Sequence, residues 1–322
     1  MPPPKRLCLG FTSYRPETLP LARGTMSGHE AVLLEEPHTP GFEEMLSGDM
    51  AIETYLELTD FEFPEYSRLA CRLARELHDQ GTAVLQLDPF MDELLSIHEF
   101  FISGGSPDGI RSDTITRDVY DAEREWTKQL LAFYKASRST DFNRIVASVK
   151  AFARADAQKG RLRDRMRAEK ITEILADFNS VYVEAGYIHV PLMPELFRRL
   201  PDSCRLRPVY LMEPVLYQLT GRRRLLGPGD ILTLLYAFQP DREDPRRDLL
   251  AARSLVYNKV VGKEEIVGEE SGYPHALDEI EAIELERSLN YEQCREHFFR
   301  LRPLSTTEAK ARAREWIRLR SS

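Results

Sequence analysis

No CxxC pair, no HExxH helix, no GxSxG elbow and no phosphate-binding glycine loop occur in this chain of 322 residues. The four cysteines, Cys8, Cys71, Cys204 and Cys294, lie far apart. That excludes zinc-ribbon and CxxC redox chemistry and suits reduced, mostly buried thiols in a reducing compartment. Ile97-His98-Glu99 lacks a second histidine four residues on, so it is not a zinc-protease helix. Without a GxSxG elbow, a serine hydrolase of the α/β-hydrolase type is disfavoured. Gly104-Gly105 and Gly227-Pro228-Gly229 read as turns. No apolar run approaches the roughly 20 residues of a membrane helix. After Met1-Pro2-Pro3-Pro4-Lys5-Arg6 only about six apolar or small residues follow, too few for an export signal. A cytoplasmic protein is the expectation. The formal net charge of -8 argues against nucleic acid as a partner. There is no internal repeat and no low-complexity tract.

What is present is an alternation of short apolar runs and longer charged segments. With 42% hydrophobic residues the chain can bury a sizeable core. Leu7-Cys8-Leu9-Gly10, Ala31 to Leu34, Ala83 to Leu87 and Val181 to Ala185 are nearly continuously apolar, the pattern of strands covered on both faces of a parallel sheet. A helix is expected from about Pro16, and Phe90 to Phe101 has helical spacing. Asp113 to Arg138 and Asp141 to Phe178 read as long charged helices. The fold class is therefore α/β, a mainly parallel central sheet flanked by helices, with a helical cap inserted between strands three and four. The expected organisation is an α/β domain over residues 1–270, its cap at about 90–178, and a helical appendage over 271–322. Val209 to Leu219 and Ile231 to Phe238 are open to strand or helix, with Arg222-Arg223-Arg224 in a solvated turn between them.

Ligands of open parallel sheets bind beyond the carboxyl ends of the strands. Applied here, that rule selects Thr12, Ser13, Tyr14 and Arg15 after the first run. It selects Glu35 and Glu36, with His38 behind, after the second. Asp88 follows the third, and Gly186-Tyr187-Ile188-His189 follows the fourth. Carboxylates, a histidine, a hydroxyl and an arginine at one edge could hold a divalent metal through His189 and Glu35, or activate water by general base catalysis. Each residue also has a plainer reading. Glu35 and Glu36 suit the positive end of a following helix, Asp88 before Pro89 suits a cap, and His189 suits a turn. Arg163 and Arg167 share a helical face, with Asp164 three residues before Arg167. An arginine there could reach over the sheet edge to hold a carboxylate or an anionic substrate, or simply belong to an exposed charged helix.

Two blocks resemble the superfamily of TraB pheromone-shutdown proteins, Tiki metalloproteases, ChaN-like haem-binding proteins and erythromycin esterases. The first is Leu9-Gly10-Phe11-Thr12-Ser13-Tyr14-Arg15-Pro16-Glu17, followed by Val32-Leu33-Leu34-Glu35-Glu36. The second is the Arg-Asp helix Leu162 to Ile171 leading into Val181 to His189, where Gly186-Tyr187-Ile188-His189 matches the second GxxH motif. In the first motif, Ser13 stands where the family has histidine. A serine hydroxyl is a poor metal ligand and a poor base.

The resemblance implies a hydrolase-like domain with Glu35 or Glu36 as base or ligand, His189 as ligand or proton carrier, and Arg163 holding an anion. Ser13, Tyr14, Arg15, Asp88, Gly186 and Tyr187 would line the ligand. A divalent metal is one expected cofactor. Haem, through Tyr14, Tyr187 or His189, is another. The alternative is a non-catalytic regulatory or ligand-binding protein on the same fold. A small molecule or a peptide is the expected partner, and the chain is open to forming a homo-oligomer.

Overall fold

A computed structural model describes residues 4–59, 62–242, 244–266 and 272–321. The elements, in order, are β1 (Lys5–Thr12), α1 (Leu19–Met26), β2 (Ala31–Leu34), α2 (Phe42–Ser47), α3 (Ile52–Glu57), α4 (Pro64–Asp79), β3 (Ala83–Gln86) and α5 (Pro89–Ile102). There follow α6 (Ile115–Ala136), α7 (Phe142–Ile174), β4 (Ser180–Gly186), α8 (Leu192–Arg199), β5 (Cys204–Tyr210) and α9 (Glu213–Thr220). The chain continues as α10 (Pro228–Phe238), α11 (Pro245–Val260), α12 (Pro274–Arg287), α13 (Tyr291–Leu301) and α14 (Thr306–Ser321).

The chain divides into two compact units, residues 1–120 with 160–224, and residues 121–159 with 225–322. In the first, five parallel strands form one sheet in the order β3-β2-β4-β1-β5. The four apolar runs are four of these strands. The fifth, β5, escapes an apolar-run search because Arg205, Arg207 and Pro208 interrupt it. Among the described residues it pairs only with β1, and an edge strand tolerates proline.

Side-chain alternation sends Leu7, Leu9, Phe11, Val181, Val183 and Ala185 to one face, under Ala168 and Ile171 of α7, Leu175 just after it, and Leu192 and Leu196 of α8. Cys8, Val32, Val84 and Tyr182 point the other way, against α1, α2, α3 and α4. Gly10 shares that second face. A Cβ built on it would lie 2.0 Å from the Tyr182 hydroxyl, so only glycine lets the fully buried Tyr182 ring cross β1.

The second unit is helical. Ile145 and Val146 of α7 pack with Leu232, Ala251, Leu255, Cys294 and Leu301. Arg247 is fully buried there, 4.2 Å from the Tyr236 ring, and donates to the carbonyl oxygens of Leu235 and Gln239 at the end of α10. This satisfies a helix carboxyl terminus with a cation.

The helical insertion between strands three and four is present, but its middle, residues 121–159, has its core in the second unit. Residues 225–266 likewise group with the C-terminal helices rather than with the sheet. The expected boundary at 270/271 lies outside the described residues. The amphipathic faces of α10 and α11 bury against α7 and α13. Cys8, Cys71 and Cys294 are buried and Cys204 is half-buried, all as free thiols. Among the described residues, no helix is long and apolar enough to cross a membrane.

Candidate functional site

The carboxyl ends of β1, β2, β3 and β4 lie side by side in the first unit, and the loops leaving them carry the charged residues selected above. Glu35 is at the centre, with a side chain 3% exposed. Its Oε2 accepts from the Gly186 backbone N–H at 2.6 Å and from the Tyr14 hydroxyl. Its Oε1 faces His189 Nε2 at 2.8 Å and Arg163 Nη2 at 3.1 Å. Arg167 Nη1 lies 3.5 Å from Oε2.

The second ring nitrogen of His189, Nδ1, meets Asp164 Oδ1 at 2.6 Å. An acid–imidazole–acid chain thus runs Asp164–His189–Glu35. Arg163 donates through Nε and Nη2 to Asp88. Asp88 also caps α5 by accepting from the Met91 N–H at 3.2 Å, as expected of an aspartate before Pro89. Arg167, fully buried, ties the helix to the strand ends through the carbonyl oxygens of Leu87 and Glu184. The geometry follows from the 3.6-residue period: Arg163, Asp164 and Arg167 occupy adjoining faces of one turn of α7.

The electrostatics are internally balanced. The carboxylates of Glu35, Asp88 and Asp164 face the cations of Arg163, Arg167 and His189. Burial alone would push the Glu35 carboxyl up, but His189, Arg167 and Arg163 hold it well below its ordinary 4.5. Burial alone would push His189 down, but Glu35 and Asp164 carry it up to about 9. At neutral pH the pair is therefore carboxylate and imidazolium. Arg163 stays charged because, against burial, Glu35 and Asp88 raise it.

A second acidic pair sits on the opposite face of the sheet. Glu184 accepts from the Tyr66 hydroxyl at 3.4 Å and from the Glu35 N–H at 3.4 Å. Burial, and then the charge of Glu36, push Glu184 up to about 8. Burial also raises Glu36, while Gln86 Nε2 donates to it at 3.0 Å and lowers it. Both carboxyls line a small apolar cavity with Val32, Phe42, Cys71 and Leu77.

The sequence-selected residues divide into two groups. Tyr14, Glu35, Asp88, Arg163, Gly186 and His189 form one connected network. Glu36 belongs to the second pair, and Ser13 lends no side-chain hydrogen bond to either. Arg15 lies with its guanidinium 4.2 Å from the Phe63 ring. Tyr187 stacks on Tyr210, and His38 pairs with Asp92 on the surface. Asp164 as the partner of His189, Arg167 as a partner of Glu35, and Glu184 were not assigned from sequence. The signal for the first two was the Arg-Asp helix itself. For Glu184 it was a charge inside an otherwise apolar strand.

The donor set does not fit the expected divalent ion. Glu35 Oε2 is taken by the Gly186 N–H and the Tyr14 hydroxyl and Oε1 by His189, the guanidinium groups of Arg163 and Arg167 lie at ion-pair distance, and both His189 nitrogens are held by carboxylates. Among the described residues, no three His, Cys, Asp or Glu side chains converge as metal ligands do. Haem ligation through Tyr14 or His189 meets the same obstacle, since both are committed to carboxylates.

The chain is 29% identical over 295 residues to an uncharacterized protein of Archaeoglobus fulgidus, covering 90% of this chain and 97% of that one. No family model matches the chain. No solved structure matches it.

Proposed function

We propose that the first unit is a hydrolase-like domain working by acid–base chemistry at the Glu35–His189 pair. The observation that carries this reading is the chain Asp164–His189–Glu35 at the carboxyl end of a parallel sheet, with a donor–acceptor spacing of 2.6 to 2.8 Å throughout. The resemblance to the TraB, Tiki and erythromycin-esterase superfamily supports it. Glu35, ionised, accepts the proton of an attacking water at Oε1 when the substrate draws Arg163 away from that oxygen. His189, protonated and oriented by Asp164, donates to the leaving group. Arg163, 24% exposed on its side chain, is the member of the network through which an anionic or polar substrate makes first contact. No step requires a metal.

The test is hydrolysis of chromogenic esters and fluorogenic peptides by the full chain. Wild type should turn over at least one, and Glu35→Gln should lower the rate by about 100-fold or more with an unchanged fold. Activity should fall as pH rises past about 9, where the pair loses its acid proton. Equal rates for wild type and Glu35→Gln would sink the proposal. A binding protein without turnover is the second reading, favoured by the closed charge balance of the network. Its mark is a small molecule or peptide retained by wild type and lost in Glu35→Gln, with no hydrolysis by either.

A further inference from the structure

Tyr14 departs from ordinary backbone geometry at the point where it meets the site. Its φ is 52°, a left-handed conformation that a bulky aromatic residue rarely adopts. The surroundings hold it there. Its N–H donates to Thr12 Oγ1 at 3.3 Å, and that hydroxyl is bonded to Thr18 Oγ1 at 3.2 Å. Its ring meets Tyr66 edge-on at 5.8 Å between centroids. Opposite, Gly186 leaves the space the ring needs: a Cβ built there would lie 3.1 Å from Tyr14 Cε2. Strain, a matching glycine and a hydrogen bond to Glu35 Oε2 at the end of it indicate a placed side chain rather than a loop accident.

We propose that Tyr14 is the positioning residue of the Glu35–His189 pair: its hydroxyl occupies Glu35 Oε2 and so turns Oε1 toward His189. This rests on the reading of that pair as the working site. Around Glu35 the charged and titratable groups are Arg163 and Arg167 from α7, His189 after β4, Glu184 on β4 and Asp88 after β3; His189 itself also faces Asp164 at 2.6 Å and Arg163 Nη1 at 3.4 Å, both from α7. Arg163 and His189 address Oε1. On Oε2, Tyr14 is the one side-chain hydroxyl, next to the Gly186 N–H, with Arg167 farther off at 3.5 Å. The phenol is suited to this, because burial and then the charge of Glu35 raise its pKa well above 10 and keep it a donor. Without it, Oε2 keeps a single short bond, from the Gly186 N–H, and the charge left on the carboxylate is less shared, so the pair should bind its proton more tightly.

The experiment is an NMR titration of the His189 imidazole in the full-length protein, which needs no substrate. Tyr14→Phe keeps the ring and removes the hydroxyl. The expected result is a midpoint raised by about half a pH unit or more. Gly186→Ala is the second variant. It keeps the hydroxyl but displaces the ring, and should move the midpoint the same way. An unchanged or lowered midpoint in either folded variant overturns the assignment, and if one variant fails to fold the other decides. The outcome is separable from turnover: loss of hydrolysis in Glu35→Gln with an unmoved titration in Tyr14→Phe would keep the acid–base reading and reject the role of Tyr14.

Discussion

Ser13 and Tyr14 are neighbours in the chain, yet only Tyr14 reaches Glu35. A strand alternates its side chains, and the turn at Tyr14 redirects the backbone after β1, so adjacent residues there face different surroundings. Ser13 therefore lends no side-chain hydrogen bond to the network. Histidine placed there, as Ser13→His, should bring no stoichiometric zinc binding, read by calorimetry, because the oxygens of Glu35 and the nitrogens of His189 are already taken. Gly10 and Gly186 have packing reasons of their own. Gly10→Ala sets a methyl against the buried Tyr182 ring and should destabilise the first unit by roughly 1–3 kcal/mol, measured as a lower denaturation midpoint.

At the scale of elements, α7 decides the site. One turn of it delivers Arg163, Asp164 and Arg167, and the strand that follows delivers His189. Asp164→Asn removes the charge behind His189 and leaves a neutral amide in its place. The His189 midpoint should then fall from about 9 toward its ordinary 6.5, by about a unit or more. That is opposite in direction to the shift expected of Tyr14→Phe. The helical periodicity of residues 160–174 and the apolar strand β4 were both legible in the sequence. A cap near the strand ends was expected from that periodicity; which of its residues meet Glu35 and His189 was not legible, because register between a helix and a sheet is set by long-range packing of Ala168, Ile171 and Leu175. The edge strand β5 was missed for a related reason: with partners on one side only, its sequence carries arginine and proline in place of a continuous apolar run.

Across the whole molecule, the buried ionisable groups make stability depend on pH in opposite ways at the two ends of the scale. Glu35 is held below its ordinary value, so its contribution is present above about 4.5 and is lost as pH falls through its folded value. His189 and Glu184 are raised, to about 9 and about 8. Their contributions are complete below their ordinary values of 6.5 and 4.5 and are lost as pH rises through the folded ones. Chemical denaturation of the full chain should therefore show falling stability between pH 7 and pH 9. Glu184→Gln, which carries no titrating proton, should flatten that decline up to about pH 8. A profile that rises over this interval would contradict the protonation assigned to both groups.

The sequence alone determined the class of fold, because near-continuous apolar runs can only be satisfied by burial on both faces and the intervening charged segments have helical period. It determined the edge of the sheet at which to look, since the residues following those runs carry the charges. Only the tertiary structure decided which charges pair with which. A buried carboxylate is stabilised by the nearest cation and donor in space, and the partners of Glu35 come from the ends of two other strands and from a helix more than a hundred residues along the chain. The same geometry separated Glu35 from Glu36, adjacent in sequence, and gave one an ionised and the other a protonation-favouring environment.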